Sequence, residues 1–152
     1  MTTTVHGLAG LKAIEGKDLG VSDWLEITQE RVNLFAEATG DHQWIHVDVD
    51  RAATGPFGAP VAHGYLSLSL VVPLLAEVLD VQGVAMGVNY GVDKLRFPSP
   101  VPVGSRVRLQ ASLDAVEDVA GNGVQATLGL TLEVEGASKP ACVAVAVYRY
   151  YA

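Results

Sequence analysis

The second half of the chain alternates apolar and polar residues with the two-residue period of a β-strand. The alternation runs through residues 106–113 and again through residues 124–135. Strands of this kind place one face in a core and the other face in water. Residues 141–151 are apolar on both faces, which predicts a strand in the middle of a sheet.

Two breaks in this pattern predict a turn and a loop. Asn122-Gly123 lies between two strand patterns and is typical of a hairpin turn. Residues 97–102 contain three prolines. Because proline has no N–H to donate, we do not expect this segment to form a regular central strand.

The first half of the chain carries helical patterns instead. Thr28 is suited to cap a helix, and Gly40 is suited to end it. Between them, Val32, Phe35 and Ala36 fall on one helical face. We therefore predict a helix over residues 29–39, followed by a loop that begins at Asp41.

The connection after this loop is predicted to be extended. Ile45, Val47 and Val49 alternate with polar residues, as in a strand. Asp50 is then expected to cap a short turn through residues 51–53.

Residues 63–79 are apolar on nearly every face, which predicts a helix that other structure surrounds. Long antiparallel strands follow this helix in the sequence. A sheet that covers the helix would bury the apolar faces of both elements. The predicted fold is therefore of the α+β class, with a curled antiparallel sheet around a central hydrophobic helix.

The length of 152 residues fits one domain, which we place at residues 1–152 with residues 1–20 as an N-terminal extension. Hydrophobic residues make up 49% of the chain, which is enough for a substantial core without a disulfide. The single cysteine, Cys142, lies in a predicted strand and is expected to be a small core residue in a reducing compartment.

The net charge of −7 argues against nucleic acids and anionic membranes as main partners, because both prefer basic surfaces. The N-terminus has no pattern of a signal peptide. The most apolar segment, residues 64–76, is too short to span a bilayer. We therefore expect a cytoplasmic protein.

The candidate chemistry lies in two short segments. Asp41 and His46 are five residues apart, and His63-Gly64 opens the apolar helix. A carboxylate and an imidazole together can transfer protons, and the N–H of a glycine at a helix start can stabilise negative charge. Taken singly, Asp41 could be an ordinary loop residue and His46 a hydrogen-bonded core histidine.

A metal site is the main competing chemistry for this region. The possible ligands are Asp41, His42, His46, Asp48, Asp50 and His63. His42 and His46 would share a face only on a helix, and Gly40 has just ended one. We therefore predict no metal.

Three separated motifs resemble those of a known family. They are residues 35–46 (FAEATGDHQWIH) with Ala52, then Ala62-His63-Gly64, and then residues 96–101 (RFPSPV) with Gly104. In this order they resemble the MaoC-like dehydratases, the (R)-specific, type-2 enoyl-CoA hydratases of the hot-dog fold. The resemblance covers roughly residues 22–150 and is specific, because three motifs agree.

The chain departs from the family at Gln43-Trp44, where the family usually has Asn-Pro. This variant resembles a subgroup that includes nodulation-protein-N-like members. The loss of proline changes the turn between Asp41 and His46. Trp44 could also fill space that other members leave for the acyl chain.

The resemblance implies a hydro-lyase acting in fatty acid metabolism. Asp41 and His46 would hold one water between them and add it to C3 of a trans-2-enoyl-CoA, which gives (R)-3-hydroxyacyl-CoA. The backbone N–H of Gly64 would stabilise the thioester oxygen, and Gln43 and His63 would have supporting roles. Whether Asp41 or His46 acts as the base is open at this point.

The resemblance also implies a homodimer and no cofactor beyond the coenzyme A of the acyl-CoA substrate. Four basic residues are candidates for binding its phosphates, namely Lys94, Arg96, Arg106 and Arg108. Residues spaced by two share one strand face, so a solvated face is an equally simple explanation for each pair.

Three other functions are compatible with the same motifs. The substrate could be carried by an acyl-carrier protein, because a tunnel for pantetheine serves both carriers. A hot-dog thioesterase is a second alternative, although the spacing of Asp41 and His46 argues against it. The third is a thioester-binding module without turnover. The acyl chain length and the pathway are open.

Overall fold

The chain forms eight strands and five helices in a computed structural model that describes all residues, Met1–Ala152. The N-terminal elements are β1 (Thr3–His6), α1 (Gly7–Ala13), β2 (Asp18–Val21) and β3 (Leu25–Glu26). Four helices follow, which are α2 (Gln29–Thr39), α3 (Trp44–Val47), α4 (Val49–Ala53) and α5 (Gly64–Val78). The remaining strands are β4 (Leu79–Gln82), β5 (Met86–Arg96), β6 (Arg106–Val119), β7 (Gly123–Val134) and β8 (Cys142–Tyr151).

The main sheet is antiparallel and open. Its strand order is β2-β6-β7-β8-β5, and the short β3 pairs with β6. Strand β8 lies between β7 and β5, which confirms the prediction of a central strand from its apolar residues on both faces. Strand β5 is therefore an edge of the sheet.

Helix α5 packs on the inner face of this sheet. Its residues Leu70 and Leu74 belong to the same core as the paired Leu109 and Leu132 of β6 and β7. This arrangement confirms the predicted α+β class. The helix is not covered all round, however, because Tyr65 is exposed. The prediction of a surrounded helix thus holds for one side of α5.

The predicted boundaries of α2 are confirmed. The Thr28 hydroxyl accepts a hydrogen bond from the Arg31 N–H at 3.1 Å. Gly40 ends the helix with φ +79°, in the left-handed region that favours glycine. The hairpin is also confirmed, although its left-handed residues are Gly121 and Asn122, whereas Gly123 already belongs to β7.

The extended prediction for residues 45–49 is wrong. This segment forms α3 and the start of α4, with hydrogen bonds from His46 N–H to the Gln43 carbonyl and from Asp48 N–H to the Trp44 carbonyl. Three alternating residues are too few to distinguish a strand from a helix. The cap of α4 is Asp48, whose side chain accepts a hydrogen bond from the Arg51 N–H, rather than the predicted Asp50.

The N-terminal segment packs into the main core. Val5, Leu11 and Leu19 are buried in the same hydrophobic cluster as α5. Strand β1 pairs in parallel with β4, and Thr3 is opposite Leu79. Residues 1–20 are thus integral to the fold rather than appended to it.

Cys142 is buried on β8, as predicted. Burial raises the pKa of its thiol to about 11, so the thiol is protonated and unreactive at neutral pH. Partial burial also raises the pKa of Tyr150, which packs against the core, to about 12. Among the five helices, none has the length and apolarity needed to cross a membrane.

Truncating α5 at its buried face should destabilise the protein strongly. Leu74 is 1% exposed, and we expect Leu74→Ala to lower the free energy of unfolding by about 2–5 kcal/mol, because it leaves a cavity. Leu34 on α2 is 63% exposed, and Leu34→Ala is the matched control, with a change of about 0.5 kcal/mol or less. Urea unfolding measures both values, and equal losses would contradict the assignment of α5 as the core helix.

Candidate active site

Asp41 lies at the start of the loop that follows α2. The left-handed Gly40 turns the chain out of the helix, and the Asp41 side chain is exposed. One of its carboxylate oxygens accepts a hydrogen bond from the Gln43 backbone N–H at 3.3 Å. The carboxylate is therefore accessible while the turn around it is ordered.

His46 is buried, with 7% of its surface exposed, and sits on the short helix α3. Its ring Nδ1 lies 2.6 Å from the carbonyl oxygen of Val61. Because a carbonyl only accepts hydrogen bonds, Nδ1 must carry the proton. In the neutral ring, Nε2 then has a free lone pair, which is the state that a general base requires.

His63 is more deeply buried, with 3% exposed, and connects the parts of the site. Its Nε2 lies 2.9 Å from the Asp41 carbonyl oxygen and must therefore donate to it. Its ring stacks on the His46 ring with 3.9 Å between centroids, and the Phe35 ring packs against the His63 ring with 4.8 Å between centroids. The Nδ1 of His63 is buried without a hydrogen-bond partner in the chain.

These three side chains lie close together. A carboxylate oxygen of Asp41 and a ring nitrogen from each of His46 and His63 lie within 4.8 Å of one another. Two hydrogen bonds of about 2.8 Å to one water molecule would span a similar distance. The arrangement therefore suits a water molecule held between an exposed carboxylate and a buried imidazole.

The same three residues are poorly arranged for a metal ion. An imidazole binds a metal through a lone pair in the plane of its ring. The rings of His46 and His63 are stacked at an angle of 23°, so their planes run side by side and do not converge on one point nearby. The absence of a metal stays a prediction.

Gly64 is the first residue of α5, adjacent to His63. It lines a cavity of about 330 Å³ together with Ser67 and the ring of Phe97. A Cβ atom at this position would lie 3.0 Å from the Phe97 ring, so glycine keeps the approach to the helix start open. The first N–H groups of a helix have no partner within the helix and carry partial positive charge.

Neither Asp41 nor His46 lines the cavity beside Gly64. The two parts of the site are connected through His63, which precedes Gly64 in the chain and contacts both Asp41 and His46. The side chain of Gln43 is exposed and forms no hydrogen bond within the chain, so its contribution to the site comes from its backbone N–H.

The four candidate phosphate ligands divide into two pairs. Arg106 and Arg108 form ion pairs with Glu135 and Glu133. The hydrogen bond with Glu135 also raises the pKa of Arg106, so this guanidinium is committed to its partner. Lys94 and Arg96, in contrast, form no ion pair within the chain and are exposed on edge strand β5.

Two supports of the site had no signal in the sequence. The side-chain amide of Gln29 donates to the His46 carbonyl at 2.8 Å, which holds α3 against α2. The Val61 carbonyl accepts from His46, and the Val61 N–H donates to the Ile45 carbonyl at 2.9 Å. A backbone carbonyl is present at every residue, so only the folded chain identifies the one that orients the ring.

The chain is similar to known proteins in family, sequence and structure. Residues 11–134 match the model of the MaoC like domain. The chain is 56% identical over 149 residues to 3-hydroxyacyl-thioester dehydratase Z of Mycobacterium tuberculosis (strain H37Rv), covering 98% of this chain and 99% of that relative. It is also 40% identical over 139 residues to nodulation protein N of Rhizobium leguminosarum bv. viciae, covering 90% and 86%.

Solved structures show the same fold. The unliganded R-hydratase PhaJ1 of Pseudomonas aeruginosa superposes with a TM-score of 0.71 at 26% sequence identity, covering 95% of this chain and 84% of that one. This likeness confirms the predicted hot-dog fold. The similarity to nodulation protein N also agrees with the subgroup that the Gln43-Trp44 variant indicated.

The two buried histidines should show opposite tautomers. We expect neutral His46 to carry its proton on Nδ1 and neutral His63 on Nε2, because each donates to a backbone carbonyl. Nitrogen-15 spectra of histidine-labelled protein in alkaline buffer distinguish the two forms. The exposed His42 is the internal control and should show an averaged spectrum. The same tautomer on both buried rings would contradict the geometry described above.

Proposed function

Because the chain belongs to the MaoC-like dehydratase family, we propose that it is an (R)-specific enoyl-thioester hydratase, which in reverse is a 3-hydroxyacyl-thioester dehydratase. It shares 56% of its residues, over nearly its whole length, with a relative named 3-hydroxyacyl-thioester dehydratase Z. The R-hydratase of Pseudomonas aeruginosa has the same fold. The proposed activity makes the protein a hydro-lyase.

The proposal rests on one observation, the meeting of Asp41, His46 and His63 within 4.8 Å. The hydrogen bond to Val61 leaves Nε2 of neutral His46 able to accept a proton. The exposed Asp41 carboxylate supplies a second acceptor. A nucleophilic water needs such acceptors to orient its protons away from the carbon that it attacks.

In the hydration direction, the oxygen of this water bonds to C3 of the trans-2-enoyl thioester. The pair of Asp41 and His46 takes one proton from the water, and a proton is delivered to C2. The C2–C3 double bond is thereby replaced by a C3–O bond and a C2–H bond, so atoms and electrons balance. Dehydration of the (R)-3-hydroxyacyl thioester follows the same steps in reverse.

Negative charge develops on the thioester oxygen while C3 is attacked. The N–H of Gly64, at the positive end of the fifteen-residue helix α5, is the group that we assign to this oxygen. The cavity beside it is lined largely by apolar side chains, which would exclude bulk water from the thioester. His63 holds the Asp41 loop next to this helix start.

We propose that two copies of the chain associate along β5. This edge strand exposes Met86, Val88, Tyr90 and Val92. An unpaired edge with apolar side chains is a surface that proteins usually cover. Side-by-side pairing of two β5 strands would cover it and would also shield the open side of α5, where Tyr65 is exposed.

We propose no cofactor beyond the coenzyme A portion of the substrate. Lys94 and Arg96 are the basic residues free to contact its phosphates, because Arg106 and Arg108 are already paired. Arg96 directly precedes Phe97, whose ring lines the cavity at Gly64. The same two residues could serve an acyl-carrier protein, which carries the pantetheine phosphate as well.

Removing either member of the pair should abolish turnover. We expect Asp41→Asn and His46→Gln each to lower kcat for hydration of crotonyl-CoA by a factor of about a hundred or more, because each removes a proton acceptor. Loss of enoyl absorbance measures the rate, and chiral chromatography identifies the (R)-3-hydroxy product. His42→Gln changes an exposed neighbouring histidine and should retain the wild-type rate. An inert wild-type protein at every acyl length and with both carriers would overturn the proposed function.

Substituting the free basic residues should affect only substrates that carry nucleotide phosphates. We expect the double variant Lys94→Ala, Arg96→Ala to raise KM for crotonyl-CoA roughly five- to ten-fold, because two exposed ion pairs with the phosphates of coenzyme A are lost. KM for crotonyl-pantetheine, which lacks the phosphates, should not change. Arg106→Gln removes a paired arginine as the control. Equal effects on both substrates would show that Lys94 and Arg96 do not bind phosphate.

A further inference from the structure

We infer that Trp44 is a positioning residue, whose ring fixes the orientation of helix α3 and thereby the direction of the His46 imidazole. This inference rests on the proposed function, because it concerns the proton acceptor of that reaction. Trp44 is the first residue of α3, two positions before His46. Its ring does not line the cavity at Gly64 but packs against Arg51 of α4 and against Gly55, two residues beyond the end of that helix.

The ring of Trp44 is held on two sides. The guanidinium carbon of Arg51, on α4, lies 4.2 Å from the ring centroid, which is the geometry of a cation–π contact. The backbone of Gly55 lies against the edge of the ring, and a Cβ atom there would be 2.9 Å from Cζ3 and 3.0 Å from Cη2. We call these three residues, Trp44, Arg51 and Gly55, the tryptophan clamp.

Glycine at position 55 is explained by the clamp and not by its own backbone. Its φ is not in the left-handed region, so other residues could adopt this conformation. Only a hydrogen atom fits between the Gly55 backbone and the Trp44 ring. The close approach therefore requires glycine in the same way that a tight packing site requires a small side chain.

Helix α3 depends on contacts of this kind for its position. It has four residues, far fewer than a helix needs to be stable alone. Its N-cap residue, Gln43, provides no side-chain hydrogen bond to the helix. Farther along α3, Gln29 binds the His46 carbonyl and Val61 binds the His46 ring. The Trp44 ring is the contact that restrains the first residue of the helix.

A rotation of α3 about its axis would disturb both members of the catalytic pair. The His46 ring would turn away from the Val61 carbonyl and from the ring of His63. The Gln43 N–H, which precedes Trp44 directly, would withdraw from the Asp41 carboxylate. The clamp thus maintains the separation of Asp41 and His46, although none of its residues contacts the reacting atoms.

The backbone conformation at Gln43 suggests a replacement for Trp44 that would hold α3 in position without an aromatic ring. Proline favours the first position of a helix, because its φ is already helical and that N–H has no partner in the helix. Gln43 has φ −56° and ψ 139°, which is the extended conformation that a residue before proline adopts. Trp44→Pro should therefore fix the start of α3 by covalent means, whereas Trp44→Ala removes the restraint entirely.

The test uses Trp24→Phe as the parent protein, because Trp24 and Trp44 are the only two tryptophans of the chain. Trp24 also stacks with an arginine, Arg108, at 4.5 Å, and phenylalanine keeps an aromatic ring for that contact. The parent should keep wild-type kcat, and its fluorescence reports Trp44 alone. Gly55→Ala, Trp44→Ala and Trp44→Pro are then made in this parent.

We expect Gly55→Ala and Trp44→Ala to lower kcat for crotonyl-CoA roughly ten-fold, because a small misplacement of a catalytic group has effects of this size or larger. KM should change less than about two-fold, because the binding groups are untouched. In Gly55→Ala, acrylamide should quench Trp44 more readily than in the parent. In both variants the nitrogen-15 signals of His46 should lose the single Nδ1–H tautomer. Trp44→Pro should recover most of the lost kcat and the His46 signal.

Two results would overturn the inference. One is an unchanged kcat and an unchanged His46 tautomer in Gly55→Ala and Trp44→Ala. The other is a loss in Trp44→Pro as large as in Trp44→Ala, which would show that the aromatic ring itself, and not the position of α3, is needed. The His46 tautomer is measured without turnover. A wild-type protein that proves inert therefore refutes the proposed function, while the clamp is still judged from the spectra.

Discussion

Helix α5 has seven buried residues, and their burial against the inner face of the sheet constrains both the fold and the site. Each fully buried Leu or Val contributes about 1.5–3 kcal/mol, so the position of this helix is strongly favoured over alternatives. His63 and Gly64 stand at its first turn. The hydrophobic packing of the sheet therefore determines where the polar groups of the site lie, although it involves none of them directly.

One side chain at this first turn, His63, connects the parts of the site. His63 donates to the Asp41 carbonyl and stacks on His46, so a single ring connects the loop after α2, the helix α3 and the start of α5. Its own Nδ1 is buried without a partner, a condition that costs about 1–3 kcal/mol. A functional role is one explanation for such a group, and it agrees with the position of His63 between Asp41 and His46.

Much of the fold, and the residues that the structure brings together at the candidate site, could be predicted from sequence, because both depend on recognisable patterns. The two-residue alternation located β6 and β7, and the order of Asp41, His46 and His63-Gly64 indicated the family. The orientation of the His46 ring could not be predicted, because it depends on the backbone carbonyl of Val61, and a backbone carbonyl has no signature in the sequence. Helix α3 was predicted as extended, and only a turn was predicted for α4, since tertiary contacts rather than their own sequence hold these two short helices.

The parallel pairing of β1 with β4 has a consequence for how the chain is made. Thr3 leaves the ribosome early, whereas its neighbour Leu79 follows only after α5 has been synthesised. The first strand must therefore wait, unpaired, until the middle of the chain is available, and β2 must wait longer still for β6. Such non-local contacts slow folding and leave apolar segments exposed in the meantime.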